Sequence, residues 1–393
     1  MRKSTASYWC PNSPAAASLQ NKGLHSGLNP SLKCPDNRMK QIVMMQGLGN
    51  NEQGWARLAS KFGRVTVIQQ GVIQHVEVWE NEQRVFNGPE TSLMRTHRLD
   101  GGAFSFITYL RSLARFREHL RGETADVIIA ASYAMGLAAL WLRCRGKARR
   151  VVVVLTDYLP PRGSLLVRLH RRITAFLCGF AARHADEVWT VSPRIPATQA
   201  NPLNFIVPIC LDSNPVLPGP REEIGYIGFP SPDHGLEILF EIGRRHGFRL
   251  NIVGQSPYLD TIRHLAPPGT VFHGFLNEAK VNAVLSRCFC GYAVYLKTGP
   301  QSYSYYGIPG KTFMHFASNT PVVTTNTAHF TANIEKFGVG RVAEPNAVAI
   351  EEAILQIKAQ FPQFYDAIPK FRQQWNELAE QFHRERFHAL GVL

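Results

Sequence analysis

IGYIGFPSPDHGLEILFEIGRRHGFRLNIV, residues 224–253, carries the pattern on which the fold turns. Residues 224–228 are an apolar run of strand length ending in a glycine. Residues 235–246 then place apolar side chains at helical spacing, and residues 249–253 return to strand character. Strands without polar alternation, separated by a helix, mark a parallel sheet covered on both faces. Downstream, residues 271–274, 290–295 and 321–324 continue the sheet. Residues 346–385 are expected to be helical, with an interruption over 361–369.

Upstream the same alternation runs independently. Residues 41–45, 65–68, 126–130, 151–155 and 187–191 have strand character. Helices are expected between them. One carries Trp55, Leu58, Ala59 and Phe62 on one face, and others span 104–120, 134–145 and 164–184. Residues 72–99 are irregular apart from a short hairpin around 77–86. Residues 208–221 (PICLDSNPVLPGPR) hold four prolines and one glycine and read as a linker. The expected organisation is a disordered tail over 1–38, a first Rossmann-like domain over 39–207, and the linker. A second such domain follows over 222–360, then helices over 361–393 that cross back to the first.

A chain of 393 residues suits two domains, and 45% hydrophobic with 18% charged residues excludes wholesale disorder. A net charge of +14 calls for an anionic partner: nucleic acid, a membrane surface or a phosphate-bearing substrate. No zinc-finger spacing, RNP-like signature or basic zipper occurs, which leaves the latter two. The helix over 164–184 mixes arginines and large apolar residues, and Arg111, Arg115 and Arg117 lie on the expected helix over 104–120, read as its neighbour. Together they predict either peripheral contact with an anionic membrane or a core helix with solvated arginines. Seven scattered cysteines read as free thiols, and the Cys288/Cys290 spacing is poor for zinc. No apolar run is long enough to span a membrane, and the N-terminus lacks a secretory apolar stretch, so a cytoplasmic protein is expected.

The chemistry concentrates in GIPGKTFMHFA, residues 307–317. Pro309 and Gly310 turn into a helix whose first amides have no partner within it, and Lys311 and Thr312 follow in the first turn. A cation there disfavours the helix start unless an anion compensates, so a diphosphate fits; a merely solvated lysine is the alternative. Gly228 begins a loop where backbone can approach a ligand closely, with His234 as its nearest basic residue. In the first half, Gly47, Gly49 and Asn50 form a strand-to-helix turn short of the full dinucleotide fingerprint, so no nicotinamide cofactor is expected. Asp157 follows the end of a strand, where it either positions and deprotonates a hydroxyl or caps a turn. Ser132 and Tyr133 are further candidates for contact with an acceptor, and Arg162 for contact with a donor or acceptor phosphate.

In order and spacing, GYIGFPSPDHGLEIL, RLNIVG, VFHGFL and YYGIPGKTFMHFASNTPVVTTN resemble the nucleotide-sugar-binding domain of GT-B glycosyltransferases of the family-4-like group. The segment 157–162 (DYLPPR), followed by HADEVWTVSPRI, resembles that group's acceptor-side domain. The resemblance spans most of residues 41–350. It implies two Rossmann-like α/β domains facing across a cleft. It also implies transfer of a hexose-type sugar from a nucleoside diphosphate sugar to a hydroxyl of a glycan or lipid-linked acceptor, in cell-surface polysaccharide or glycolipid synthesis. Retention of configuration follows by analogy only. No cofactor or metal is implied beyond the nucleotide sugar as co-substrate. The donor side would comprise Gly228, His234, Pro309, Gly310, Lys311, Thr312 and His315. The acceptor side would comprise Gly47, Gly49, Asn50, Ser132, Tyr133 and Arg162, with Asp157 and Lys311 as catalytic residues. One departure stands out. The family's ribose-binding glutamate falls at Met314 and its partner, eight positions earlier, at Tyr306. Ribose recognition would pass to His315 or backbone groups, or activity would be lost. A GT-B protein that binds without turnover and a sugar-nucleotide epimerase of the same architecture are the rival readings.

Overall fold

A computed structural model of the chain describes residues 39–46, 52–69, 73–88, 91–92, 124–156, 158, 164–208, 210–215, 217–300, 302–307, 310–327 and 329–393. The expected tail over 1–38 and the expected helix over 104–120 lie outside the described residues. Lys40–Leu393 forms one compact unit containing two sheets, here called lobes.

The first sheet contains β1 (Gln41–Gln46), β2 (Arg64–Gln69), β3 (Ile73–Glu80), β4 (Gln83–Asn87), β5 (Thr91–Ser92), β6 (Ala125–Ala131), β7 (Ala148–Leu155), β8 (Glu187–Thr190) and β9 (Asn204–Ile206). Its order is β4-β3-β2-β1-β6-β7-β8-β9, with β5 on β3. All pairs from β2 through β1 to β9 are parallel. The antiparallel pair β3–β4 is the hairpin, and it turns through Asn81 and Glu82 at φ 47° and 64°. Two successive positive φ values give the primed turn that matches strand twist. Backbone N–H groups of Asn81 and Glu82 donate to the Ser60 carbonyl and hydroxyl, which holds this costly geometry.

Helices α1 (Glu52–Ala59), α2 (Tyr133–Cys144) and α3 (Leu165–His184) accompany this sheet. The run Val151–Leu155 is buried throughout, as a central parallel strand requires. A Cβ on Gly136 of α2 would meet Val153 at 2.9 Å, so glycine there sets how closely helix and sheet approach.

The second sheet contains β10 (Glu223–Ile227), β11 (Leu250–Val253), β12 (Val271–Gly274), β13 (Cys288–Ala293), β14 (Val322–Thr325) and β15 (Gly340–Ala343). All pairs are parallel, in the order β12-β11-β10-β13-β14-β15. Around it lie α4 (Leu236–His246), α5 (Pro257–Ile262), α6 (Glu278–Leu285), α7 (Gly310–Ala317), α8 (Ala332–Lys336) and α9 (Ala347–Ala359). α4 turns Leu236, Leu239, Phe240 and Ile242 inward. Three basic residues in its last turn suit the negative helix end, and Gly247 at φ 66° closes it.

The expected interruption over 361–369 is not what forms. The break falls at Gln360, and α10 (Phe361–Ala389) runs unbroken through Pro369. Proline inside a helix costs about 3 kcal/mol or more. The opposing gain is an inward stripe of Phe364, Ile368, Phe371, Trp375, Ala379, His383 and Phe387, all buried at helical spacing. Pro369 itself faces out. The first half of α10 packs Phe371 against Phe316, Phe330 and Phe337 of the second lobe. Its second half packs Phe382, His383 and Phe387 around Trp189 of β8, and Phe387 also meets Phe62. One helix therefore clamps both lobes.

Candidate functional site

In an open parallel sheet, a ligand crevice forms beyond the C-terminal strand ends where the strand order reverses. In the second lobe that point lies between β10 and β13, and two tyrosines flank it. Tyr226 is in β10, and Tyr295 stands just after β13. Lys311, in the first turn of α7, places Nζ 4.4 Å from the Tyr295 ring centroid and 4.8 Å from that of Tyr226. The ammonium has no hydrogen-bond partner among the described residues. Aromatic faces attract a cation but do not replace its hydrogen bonds. Burial pulls the Lys311 pKa down from 10.5 to about 7.

The sequence leaves Lys311 either on a diphosphate at the helix start or merely solvated, and this placement bears on the second alternative. Nζ is closed off from solvent between the two rings, which cover the stem but leave the amine without a hydrogen bond among the described residues.

Gly228 follows β10 at φ 130°, and a Cβ there would lie 3.8 Å from the Tyr226 hydroxyl and 3.9 Å from Lys311 Cε. Only glycine takes this backbone without strain, and its bareness lets the loop pass over the lysine. His234, six residues on, is buried. Its Nδ1 shares a 2.9 Å hydrogen bond with the Tyr226 hydroxyl and stands 3.3 Å from Ser231 Oγ. Its ring meets Tyr295 edge-on at 5.1 Å. Burial first, and Lys311 second, push its pKa down to about 3. At neutral pH it is an uncharged ring bracing the tyrosines, not a second cation.

Thr312 and His315 continue α7 inward. Both are fully buried, and neither Thr312 Oγ1 nor either ring nitrogen of His315 has a partner among the described residues. The His315 ring occupies the space of a side chain at Gly291 in β13, where a Cβ would stand 2.4 Å from it. Burial and then Lys311 lower its pKa to about 3. With no exposed surface, His315 fills the lobe beneath the site. Gly310 begins α7 half-buried, while Pro309 lies outside the described residues.

In the first lobe the strand order reverses between β1 and β6. Ser132, directly after β6, has φ 89° and ψ 160°. That region is nearly glycine-only, and strain of this kind concentrates at working sites. The neighbourhood fixes it: Ser132 N–H donates to the Val154 carbonyl at 3.0 Å, and Ser132 Oγ accepts from Met135 N–H at the start of α2. Tyr133 is the first residue of α2. Gly47, Gly49, Asn50, Asp157 and Arg162 lie outside the described residues.

Composition and motif spacing gave no sign of the contacts that join the lobes here. Arg194, from the first lobe, lies 4.2 Å over the Tyr305 ring and donates to the Thr327 carbonyl at 2.7 Å. Tyr158 of the first lobe meets Tyr306 at 4.7 Å and 65°. Tyr306 is the position at which the resemblance leads one to look for a glutamate. It is committed to this aromatic contact and donates its hydroxyl to the Pro300 carbonyl. A separate cavity of about 290 Å³ lies at the α10 seam, where Arg57 pairs with Asp212, Lys61 with Glu380 and Glu82, and Glu377 accepts from Gln373. No cluster of three potential metal-ligating side chains forms among the described residues.

Residues 55–198, the larger part of the first lobe, match the model of the glycosyl transferase 4-like domain. No curated protein matches the chain by sequence. Among solved structures, sucrose-phosphate synthase from Thermosynechococcus elongatus is similar over 89% of this chain and all of its own, with a TM-score of 0.61 at 14% identity. Anabaena Alr3699/HepE, solved with UDP and glucose, is similar over 88% of this chain and 99% of its own, with a TM-score of 0.58 at 15% identity. The lipopolysaccharide-biosynthesis glycosyltransferase WaaG, at 15% identity and a TM-score of 0.55, covers 85% of this chain and 95% of its own. These likenesses establish two Rossmann-like lobes in the GT-B arrangement.

Proposed function

We propose, for a chain whose residues 55–198 match a glycosyl transferase 4-like domain and whose fold is that of GT-B proteins, that it moves a sugar from a nucleoside diphosphate sugar to an acceptor hydroxyl. The acceptor is a glycan or glycolipid of cell-surface synthesis, met on the cytoplasmic side. One observation carries the reading: an ammonium without a hydrogen-bond partner, held between Tyr226 and Tyr295 at the switch point of the second sheet. Burying an unpaired polar group costs about 1–3 kcal/mol, more if charged, and such a group in a crevice points to a ligand.

In this reading the Gly228 loop lifts as the donor enters, and Lys311 leaves the tyrosine faces for the diphosphate. The N–H groups of the first turn of α7, from Gly310 on, would serve the same oxygens. Lys311 and these amides stabilise the charge that builds on the departing nucleoside diphosphate. Thr312 shapes that turn, and His234 holds Tyr226 in place. Across the gap, Ser132, Tyr133, Arg162 and the Gly47–Gly49–Asn50 turn hold the acceptor, and Asp157 takes its hydroxyl proton. No described carboxylate is needed for the donor phosphates.

The nucleotide is tested by thermal stabilisation. UDP is the first probe because Alr3699/HepE was solved with it. A site saturated to 100 times Kd adds about 2.7 kcal/mol to the native state, a clear upward Tm shift. If no nucleoside diphosphate shifts Tm, the reading fails. The pH dependence has a definite sign. The cation is needed for binding, and the empty-site pKa is about 7. Affinity is therefore highest below that value and falls by up to ~10-fold per pH unit above it, measurable by calorimetry. A flat profile from pH 6 to about 9 would assign the phosphate contact to another group.

The presence of Met314 and Tyr306 where the resembled family carries glutamates favours one alternative, a binding protein without turnover. Nucleotide stabilisation with no sugar transfer to any lipid or glycan extract would select it.

A further inference from the structure

The outward face of α3 has the wrong chemistry for water. Of its twenty residues only Ala181 and Ala182 are fully buried, near its C-terminal end. Large apolar side chains instead point out: Leu165, Leu166, Leu169, Ile173, Phe176 and Phe180. Leu165, Leu166 and Phe176 are 73%, 78% and 71% exposed. At 3.6 residues per turn these six fall within an arc of about 100°, roughly opposite the arc holding Thr174, Cys178, Ala181 and Ala182, which faces the lobe. A solvated helix shows the reverse, with polar residues outward. Exposed Arg168, Arg172 and Arg183 border the stripe, and α3 has no acidic residue. No helix among the described residues is long and apolar enough to cross a membrane.

We propose that α3 docks the protein on an anionic lipid surface, laying this stripe into the outer part of one leaflet with the arginines on lipid phosphates. The charge decides the occupant. A protein groove would accept the apolar stripe alone, whereas the arginine border without a single carboxylate matches a sheet of anionic headgroups. The whole chain, at +14, adds to the same attraction. The orientation follows from where the stripe is most exposed, the N-terminal end at Leu165 and Leu166. That end comes shortly after β7, so docking brings the C-terminal edge of the first sheet down to the lipid surface. A lipid-linked acceptor would reach that edge without leaving the leaflet. This last point rests on the function proposed above; the docking itself does not.

The test is co-sedimentation of the full chain with vesicles, in the absence of any nucleotide sugar, so that its outcome is independent of transfer. Wild type should bind phosphatidylcholine–phosphatidylglycerol vesicles at least ~10-fold more tightly than phosphatidylcholine alone. The double variant Leu166→Ser/Phe176→Ser should lose at least ~10-fold on the mixed vesicles while its Tm stays unchanged, since both side chains are exposed. Arg168→Glu/Arg172→Glu should lose the preference for phosphatidylglycerol. Three results overturn the proposal. One is wild type that binds neither vesicle, and another is a serine variant that binds as well as wild type. The third is a wild-type dimer without vesicle binding that the serine variant turns into monomers, which would give the face to a second copy of this chain.

Discussion

Lys311→Ala is expected to lower sugar transfer at least ~100-fold, the scale at which a single donor group aimed at developing charge acts. The same change should abolish most of the Tm shift produced by UDP. What makes the test sharp is the opposite sign of its companion. Lys311→Met keeps the stem between Tyr226 and Tyr295 but removes the buried amine. Burial lowers the lysine pKa from 10.5 to about 7, so between those values the unfolded chain binds a proton that the native protein does not. The penalty is fully present below pH 7 and is relieved as pH rises towards 10.5. Lys311→Met should therefore be inactive yet more heat-stable at pH 6, by at least about 2 °C, with the gain shrinking towards pH 10. A purely structural lysine predicts loss of stability in both variants, together with retained transfer. Calorimetry across pH and a labelled-donor transfer assay separate the two. Destabilisation by a functional group, relieved on its removal, is the familiar trade between activity and stability.

Much of this was legible in the sequence because parallel strands write themselves as uninterrupted apolar runs. Residues 151–155 and 224–228 read as strands from their apolar runs, and strands form at Ala148–Leu155 and Glu223–Ile227. The Asn81-Glu82 hairpin falls within the stretch read as irregular apart from a short hairpin around 77–86, and no glycine marks its turn. What was not legible depends on long-range partners. Pro369 signalled a break, but seven buried side chains on the opposite face of α10 outweigh it, and no local pattern reveals that the surfaces they meet belong to two lobes. The Lys311 site shows the same limit. Its position at a Pro-Gly turn could be read, but the tyrosines around it come from residues 85 and 16 positions upstream and meet it only when the sheet forms. Likewise His315 looked available as a polar residue on a site helix. Its place is set by the bare backbone of Gly291 beneath it.

Phe387→Ala is the second large effect expected, and it separates the clamp from the site. Phe387 is fully buried and packs on Phe62, Trp189 and His383, all at the first-lobe end of α10. Truncating a buried phenylalanine costs about 3–5 kcal/mol. Because the other half of α10 is held by Phe371 and Trp375 on Phe330, and by Arg372 on the Phe316 carbonyl, the loss should stay local. Calorimetry should then show the first lobe unfolding in an earlier transition, and UDP should still raise the later one, since Lys311 and Gly228 sit in the second lobe. Phe371→Ala should do the reverse and lower the transition that responds to UDP. If both variants lower a single transition equally, α10 joins the lobes into one cooperative unit. The gap between them would then be held at a fixed width, and donor entry would depend on the Gly228 loop alone.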